Sequence, residues 1–355
     1  MADFWTDQKQ IIGVAPMDGV TDKSFRMIIA QNSNPSVIMT EFTNVEGLAR
    51  GAKKMLKAFE YDEIERPIVA QVYGSEVESF YKAAVMLCYL GFDGIDINMG
   101  CPMTKVAGKG SGAGLIKTPE LAKDIIRAVQ KGVTDWADGI SLTKAGVHKD
   151  AIAECKLMVE EERVANKGRR EKIPVSVKTR IGYSQNTITE WLPNIIETKP
   201  DAISVHGRTL KQMYTGLADW DAIAVGADLA HKAGITYLGN GDVKNLDDAK
   251  QRISDYGVDG VLVGRALFGN PWFFSGYEPI IEDRIRVSMR HNKIFKMHMK
   301  NEKCFHAIKK HLGWYIKGFD GAKEARMLLM QTNSAEEVHE KLKQLLNKRK
   351  WDEKN

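Results

Sequence analysis

A chain of 355 residues, 43% of them apolar and 27% charged, has material for one large folded domain and a small one, and is too hydrophobic to be disordered. No apolar run reaches the ~20 residues of a membrane-spanning helix. The start, Met1-Ala2-Asp3-Phe4-Trp5, has neither the basic region nor the apolar stretch of a secretory leader, so a cytoplasmic protein is expected. The four cysteines (Cys88, Cys101, Cys155 and Cys304) form no CxxC pair, which predicts free thiols and no metal site. The net charge of +5 is unevenly spread. From Glu282 onward 18 Lys and Arg face 10 Asp and Glu, a net of +8, while the preceding 281 residues sum to −3. A basic tail on a neutral body suggests a polyanionic partner.

Eight short β-branched runs recur in chain order: Ile11–Ala15, Val37–Thr40, Ile68–Val72, Gly94–Asn98, Pro174–Lys178, Ala202–Val205, Thr236–Gly239 and Gly260–Gly264. They are near-continuously apolar, as strands buried on both faces should be. Helical stretches separate them, among them Glu76–Leu90, Pro119–Lys131, Ile188–Thr198 and Asn245–Tyr256. This alternation predicts an α/β fold, a (β/α)8 TIM barrel over residues 1–280, with an open doubly wound sheet as the alternative. A charged excursion around 132–172, including a helix over Lys149–Ala165, reads as an insertion on the barrel rim. Beyond Pro279 helical periodicity replaces the strand pattern, which predicts a small all-helical domain over 281–355 carrying the positive charge.

In such a barrel, chemistry belongs where strands end. The fourth run leads into Asn98-Met99-Gly100-Cys101-Pro102, where Pro102 stops a helix from starting through the thiol. Gln71 sits inside the third run, Lys178 and Arg180 close the fifth, and His206 and Arg208 follow the sixth. Asn240-Gly241-Asp242 closes the seventh and Gly264-Arg265 the eighth. Singly, each has a structural explanation; gathered at one rim, their chemistry is coherent. Glycine-rich turns after the last two strands suit a phosphate, because backbone N–H groups can approach it closely. The amides of Gln71 and Asn98 suit the edge of a flat heteroaromatic ring, and Lys178 suits a ring that gathers negative charge, as reduced flavin does. The assembly reads as a flavin mononucleotide pocket with Cys101 as a proton donor. Gly108–Ala113 matches GxGxxA but follows the cysteine loop rather than a strand, so it is not a dinucleotide fingerprint.

These residues resemble the tRNA-dihydrouridine synthases. The matching stretches are Ala15-Pro16-Met17-Asp18-Gly19-Val20-Thr21-Asp22, Asp96–Pro102, Gly112–Leu115, Val177–Gly182, Val205–Thr209, Gly239–Val243 and Gly264–Ala266, with His311–Gly318 in the tail. The resemblance implies FMN reduced by NADPH, hydride transfer to C6 of a specific uracil in tRNA, and protonation of C5 by Cys101. It also implies FMN contacts from Pro16, Met17, Gln71, Asn98, Lys178, His206, Asn240, Gly241, Asp242, Gly264 and Arg265. Arg180 and Arg208 are candidates for FMN phosphate or RNA, and Lys309, Lys310 and Lys317 for tRNA. The expected form is a monomer binding one tRNA, and the stretch after Gly132 departs from the family's pattern. Two other readings remain. A flavin barrel reductase of a free small molecule, like the dihydroorotate dehydrogenases or old yellow enzymes, leaves the basic tail unexplained. A catalytically silent RNA-binding barrel leaves Cys101, Lys178 and His206 unexplained.

Overall fold

All eight expected strands form in the computed structural model, which describes residues 4–165, 168–298 and 302–347. They are β1 (Ile11–Val14), β2 (Ile38–Met39), β4 (Ile68–Tyr73), β5 (Gly94–Asn98), β6 (Val175–Arg180), β7 (Ala202–His206), β8 (Thr236–Asn240) and β9 (Gly260–Val263). A two-residue strand, β3 (Thr43–Asn44), continues the line of β2 alongside β4. Every pairing is parallel. β2 joins β4 on one side and β1 on the other, and β1 lies on β9, so the sheet closes on itself. The result is the (β/α)8 barrel that the alternation predicted, not the open sheet.

Register decides which side chains meet inside. Gln71 on β4 stands opposite Asp96 on β5, which stands opposite Ser176 on β6. The next row up joins Asn98, Lys178 and Ser204, and the row at the rim joins Arg180, His206 and Asn240. Ile11, Val37, Met39, Val69, Ala202, Leu238 and Leu262 form an apolar cluster together with Trp5. Phe4 packs against it from outside the strands. Polar side chains thus gather toward the carboxyl ends of the strands, the end at which such barrels carry their chemistry.

The excursion after the helix Pro119–Ala137 folds back on the same unit. Its helix Lys149–Glu160 is followed by Arg163, which bonds to Glu60 at 3.3 Å and Glu154 at 2.8 Å. Arg66 reaches the Ala165 carbonyl at 2.6 Å and ion-pairs with Asp93 at 2.5 Å.

Two compact units divide the chain: Met1–Asp18 with Ser36–Gly264, and Gly19–Pro35 with Arg265–Asn355. The second is helical. Its longest helix, Ile281–His298, is accompanied by Lys309–Tyr315, Ala322–Gln331 and Ala335–Leu346 around a core that includes Ile285, Phe305, Leu312, Leu329, Val338 and Leu342. The helix that follows β1 in sequence, Lys23–Asn32, belongs here as well, with Ile28 in that core and Ser33 Oγ donating to the Pro271 carbonyl at 2.7 Å. Asp22 caps it, accepting from Phe25 N at 2.9 Å and Ser24 Oγ at 2.6 Å.

Two buried imidazoles sit beside that cap. His291 contacts Ser24 Oγ at 3.3 Å and the Tyr315 hydroxyl at 3.0 Å, whereas neither ring nitrogen of His311 has a hydrogen-bond partner among the described residues. Burial lowers the His291 pKa to about 4 and holds His311 well below its ordinary 6.5. Below pH 6.5 the unfolded chain binds protons that the folded one refuses, so both residues cost stability as pH falls from 6.5 toward 4, by up to ~1.4 kcal/mol per pH unit each. His311→Phe keeps the ring packed against Phe25 and Trp314 and removes the unpaired nitrogens. The variant is expected to gain about 1 kcal/mol at pH 7 and a larger margin over the wild type at pH 5, read from urea midpoints at the two pH values.

Candidate active site

Cys101 is 6% exposed and sits three residues past the end of β5. Its position is set through the backbone: Asn98 Oδ1 accepts from Cys101 N at 2.8 Å and from Gly100 N at 3.1 Å. The next segment returns over it, with Ala113 N donating to the Cys101 carbonyl at 3.2 Å. Gly112 makes that return possible, since it has φ +55° and a Cβ there would lie 3.2 Å from Cys101 Cβ. The segment that mimics a dinucleotide fingerprint is therefore packed against the Cys101 backbone. Burial, reinforced by the charge of Asp18, pushes the thiol pKa up, although the Met103 backbone, Arg180 and Lys178 oppose it. The thiol is thus held protonated at neutral pH, which suits an acid and disfavours a thiolate nucleophile.

Lys178 comes from the adjacent strand and donates to Asn240 Oδ1 at 3.0 Å, while Asn240 Nδ2 donates to the Leu262 carbonyl at 2.7 Å. Burial, helped by Arg180, lowers the Lys178 pKa to about 8, so it is still a cation at pH 7. An ammonium carries three hydrogens and Asn240 takes one, which leaves Lys178 able to face a ligand. His206 is half-buried beside Asn240. Arg208 Nη1 approaches His206 Nε2 at 3.4 Å, and since arginine only donates, Nε2 is the accepting nitrogen.

The turn after β8 is tightly specified. Gly241 has φ +130°, and a Cβ there would lie 2.6 Å from Ala218 Cβ and 3.1 Å from His206 Cδ2. Asp242 follows at φ 55°, and its Oδ2 accepts from Arg208 Nη2 at 2.7 Å and Ala218 N at 2.8 Å. Pro16 and Met17 are half-buried in the turn after β1, and a Cβ on Gly264 would meet the Met17 sulfur at 3.3 Å.

The barrel unit therefore gathers Pro16, Met17, Gln71, Asn98, Cys101, Lys178, His206, Asn240, Gly241, Asp242 and Gly264 at its carboxyl end or just beneath it. Arg180 and Arg208 are there too, but 4% and 2% exposed and bonded to protein groups. Arg180 ties the cysteine loop to the loop after β7, donating to the Gly100 carbonyl at 2.6 Å and the Thr209 carbonyl at 3.2 Å. Arg208 cinches its own loop through the Gly216 carbonyl at 2.6 Å and Asp242. Arg265, exposed, belongs to the helical unit, as do Lys309, Lys310 and Lys317. In that unit the helices Lys309–Tyr315 and Ala322–Gln331 flank a groove of about 520 Å³, lined by Lys309, Lys310, Lys323 and Arg326 with Met327 and Met330. Trp314 also lines it, stacked on Phe268 with ring centroids 3.9 Å apart. Among the described residues, no acidic side chain lines it. Lys317 lies outside the groove and reaches the Phe268 carbonyl at 3.5 Å.

Sequence reasoning missed Asp96 and Ser176 inside the barrel and Lys323 and Arg326 on the groove. A charged residue between two isoleucines in a strand buried on both faces was the available signal for Asp96. Nothing local marked the groove cations, which only helix packing brings beside Lys309.

The sequence model of the dihydrouridine synthase (Dus) family matches residues 13–138 and 148–350, a match broken only at 139–147. A probable tRNA-dihydrouridine synthase of Staphylococcus aureus (strain MRSA252) is 32% identical over 95% of this chain and 93% of its own length. Probable tRNA-dihydrouridine synthase 2 of Bacillus subtilis (strain 168) is 31% identical over 95% of this chain and 94% of its own. Among solved structures, a 2-naphthoyl-CoA reductase complex aligns with a TM-score of 0.50 at 10% identity, over 74% of this chain and 49% of that one, a likeness of fold. The family match makes this the site of an oxidoreductase. The chain belongs to the dihydrouridine synthase family.

Gly241→Ala should cost about 2 kcal/mol, because the new Cβ meets both the positive φ and Ala218. Urea unfolding checks this. The same change at Gly234, which also has positive φ but no atom within 4 Å of an added Cβ, should cost less.

Proposed function

We propose that this protein reduces a specific uridine of tRNA to 5,6-dihydrouridine, with FMN as its bound cofactor and NADPH as the reductant. The observation that carries the reading is the buried, backbone-held thiol of Cys101 on the same barrel rim as the Lys178 ammonium, which Asn240 holds in place. Relatives covering nearly the whole chain, named as probable tRNA-dihydrouridine synthases, supply the substrate class.

The residues fit a flavin nucleotide. The Gly241 turn leaves backbone close to the rim where a side chain would not fit, and Lys178 offers spare N–H bonds in a partly desolvated place. Pro16, Met17, Gln71, Asn98, Lys178, His206, Asn240, Gly241, Asp242 and Gly264 would hold the group, and Arg265 is a further contact that the family implies. When bound and reduced, FMN supplies the hydride for C6 of the uracil. Lys178, still a cation at neutral pH with its pKa lowered to about 8, would offset negative charge gathering on such a ring. Cys101 then delivers its proton to C5, and its raised pKa keeps the proton available until the carbon turns basic. A uracil inside a stacked tRNA cannot reach such a rim, so the base leaves its stack first. Arg180 and Arg208, spent on protein carbonyls and on Asp242, shape the loops around the site. The groove cations Lys309 and Lys310, joined by Lys323 and Arg326, hold the RNA backbone, with Lys317 on the same unit.

The test is a visible spectrum of the pure protein, followed by anaerobic addition of NADPH and then unmodified tRNA. Flavin absorbance should bleach with NADPH and return with tRNA; bleaching that tRNA does not reverse removes tRNA as the acceptor. Cys101→Ala should keep the colour and tRNA binding but lose at least ~100-fold in turnover, the usual scale for a positioned acid. A mutant reducing uridine at the wild-type rate would mean the proton comes from elsewhere.

Neutralising Lys309, Lys310 and Lys317 together should weaken tRNA binding and reduce the slope of log affinity against log salt by up to about 2–3. Adding Lys323→Ala and Arg326→Ala should flatten it further. An unchanged slope in filter-binding titrations would place the RNA surface elsewhere.

A further inference from the structure

Asp96 is fully buried, one row beneath Asn98, and its carboxylate is bonded on both oxygens. Ser176 Oγ donates to Oδ1 at 2.7 Å and Gln71 Nε2 donates to Oδ2 at 2.7 Å. An ionised carboxylate has no hydrogen to give, so Gln71 must present its NH2 group to Asp96 and its carbonyl to the other side. That carbonyl accepts from Asn98 Nδ2 at 2.8 Å. The Asn98 carbonyl is thereby turned to the cysteine loop, where it accepts from Gly100 N and Cys101 N. Reversing either amide sets like against like: two acceptors at Asp96, or an NH2 group against two backbone N–H groups. We infer that Asp96 is a positioning residue, whose carboxylate fixes the donor–acceptor sense of Gln71 and Asn98 and so holds the backbone that carries Cys101. For catalysis the inference rests on the proposed role of Cys101 as proton donor. The wiring itself does not.

The chain has one sense because its far end is backbone, which cannot turn round. Any group at position 96 that accepts a hydrogen bond will serve, and one that cannot leaves Gln71 unanchored. Carboxylates at both 96 and 98 force an acceptor against an acceptor whichever way Gln71 turns. An amide at 96 relieves this. It donates to the Gln71 carbonyl and accepts from Ser176, while Gln71, reversed, donates to the carboxylate that replaces the amide at 98.

The experiment is a double-mutant cycle on the full-length purified protein at pH 8, above the pKa of about 6 to which burial raises Asp96. With a buried hydrogen bond left unmade, Asn98→Asp should lower the melting temperature by about 2–6 °C and Asp96→Asn by no more than about 1 °C. The double variant should recover at least half of the Asn98→Asp loss. Additive losses, or a double variant that melts below both singles, would overturn the inference. If Asn98→Asp does not fold, a folded double variant supports it and an unfolded one overturns it.

A second measurement reads the thiol directly, as the rate at which iodoacetamide alkylates Cys101, followed by peptide mass spectrometry. Asp96→Leu should raise that rate at least fivefold, while Asp96→Asn stays within twofold of the wild type. Equal rates in all three proteins would overturn the inference. Neither experiment uses RNA or a reductant, so failure to reduce tRNA would sink the proposed function and leave the wiring standing.

Discussion

Barrel closure depends on β1 lying flush against β9, and that seam has no room for a side chain at Gly260, where a Cβ would overlap the Ile11 carbonyl oxygen. Across the seam Val14 pairs with both Val263 and Ile38, so one residue links the last strand to the second. Once the sheet is closed and parallel, every strand delivers its carboxyl end to the same rim. Residues as distant in sequence as Gln71, Lys178 and Asn240 then stand in adjacent rows because the register leaves them nowhere else. The chemistry of the site is a consequence of closure before it is a consequence of any one side chain.

The apolar cluster completes the design. With Trp5 and the Ile, Val and Leu side chains of this cluster buried in the same barrel, its polar rows lie in a poorly solvated interior. An unpaired polar group there would cost about 1–3 kcal/mol, which is why Asp96 is bonded on both oxygens and Gln71 at both ends. The same desolvation acts on every ionisable group nearby. It raises Asp96 to about 6, lowers Lys178 to about 8 and pushes the Cys101 thiol up. That environment keeps the thiol protonated and, although it weakens Lys178 as a base, leaves the lysine charged at neutral pH, the pairing that the proposed role of Cys101 as proton donor calls for.

Much of this was legible in advance, for identifiable reasons. Strands buried on both faces read as continuous apolar runs, so β5, Gly94–Asn98, was recognisable with its functional end attached. Pro102 marked the cysteine as a loop residue. Asp96 was harder, because it lies inside such a run and its role exists only opposite Gln71 and Ser176 on other strands. Arg180 and Arg208 are anion-binding candidates by type, and only the fold shows that both also bond protein carbonyls and that Arg208 pairs with the Asp242 carboxylate.

The sequence by itself determined the parallel barrel, the helical tail with its charge, and the identity of the residues at the strand ends, because these follow from local patterns of hydrophobicity, glycine and proline. Only the tertiary structure decided that the helix Lys23–Asn32 joins the helical unit, that Lys323 and Arg326 line a groove with Lys309, and that Asp96 anchors the amides behind Cys101. Each of these is a partnership between segments far apart in the chain. Donor–acceptor sense and groove charge are properties of pairs, and pairs form only when register and packing bring their members within reach.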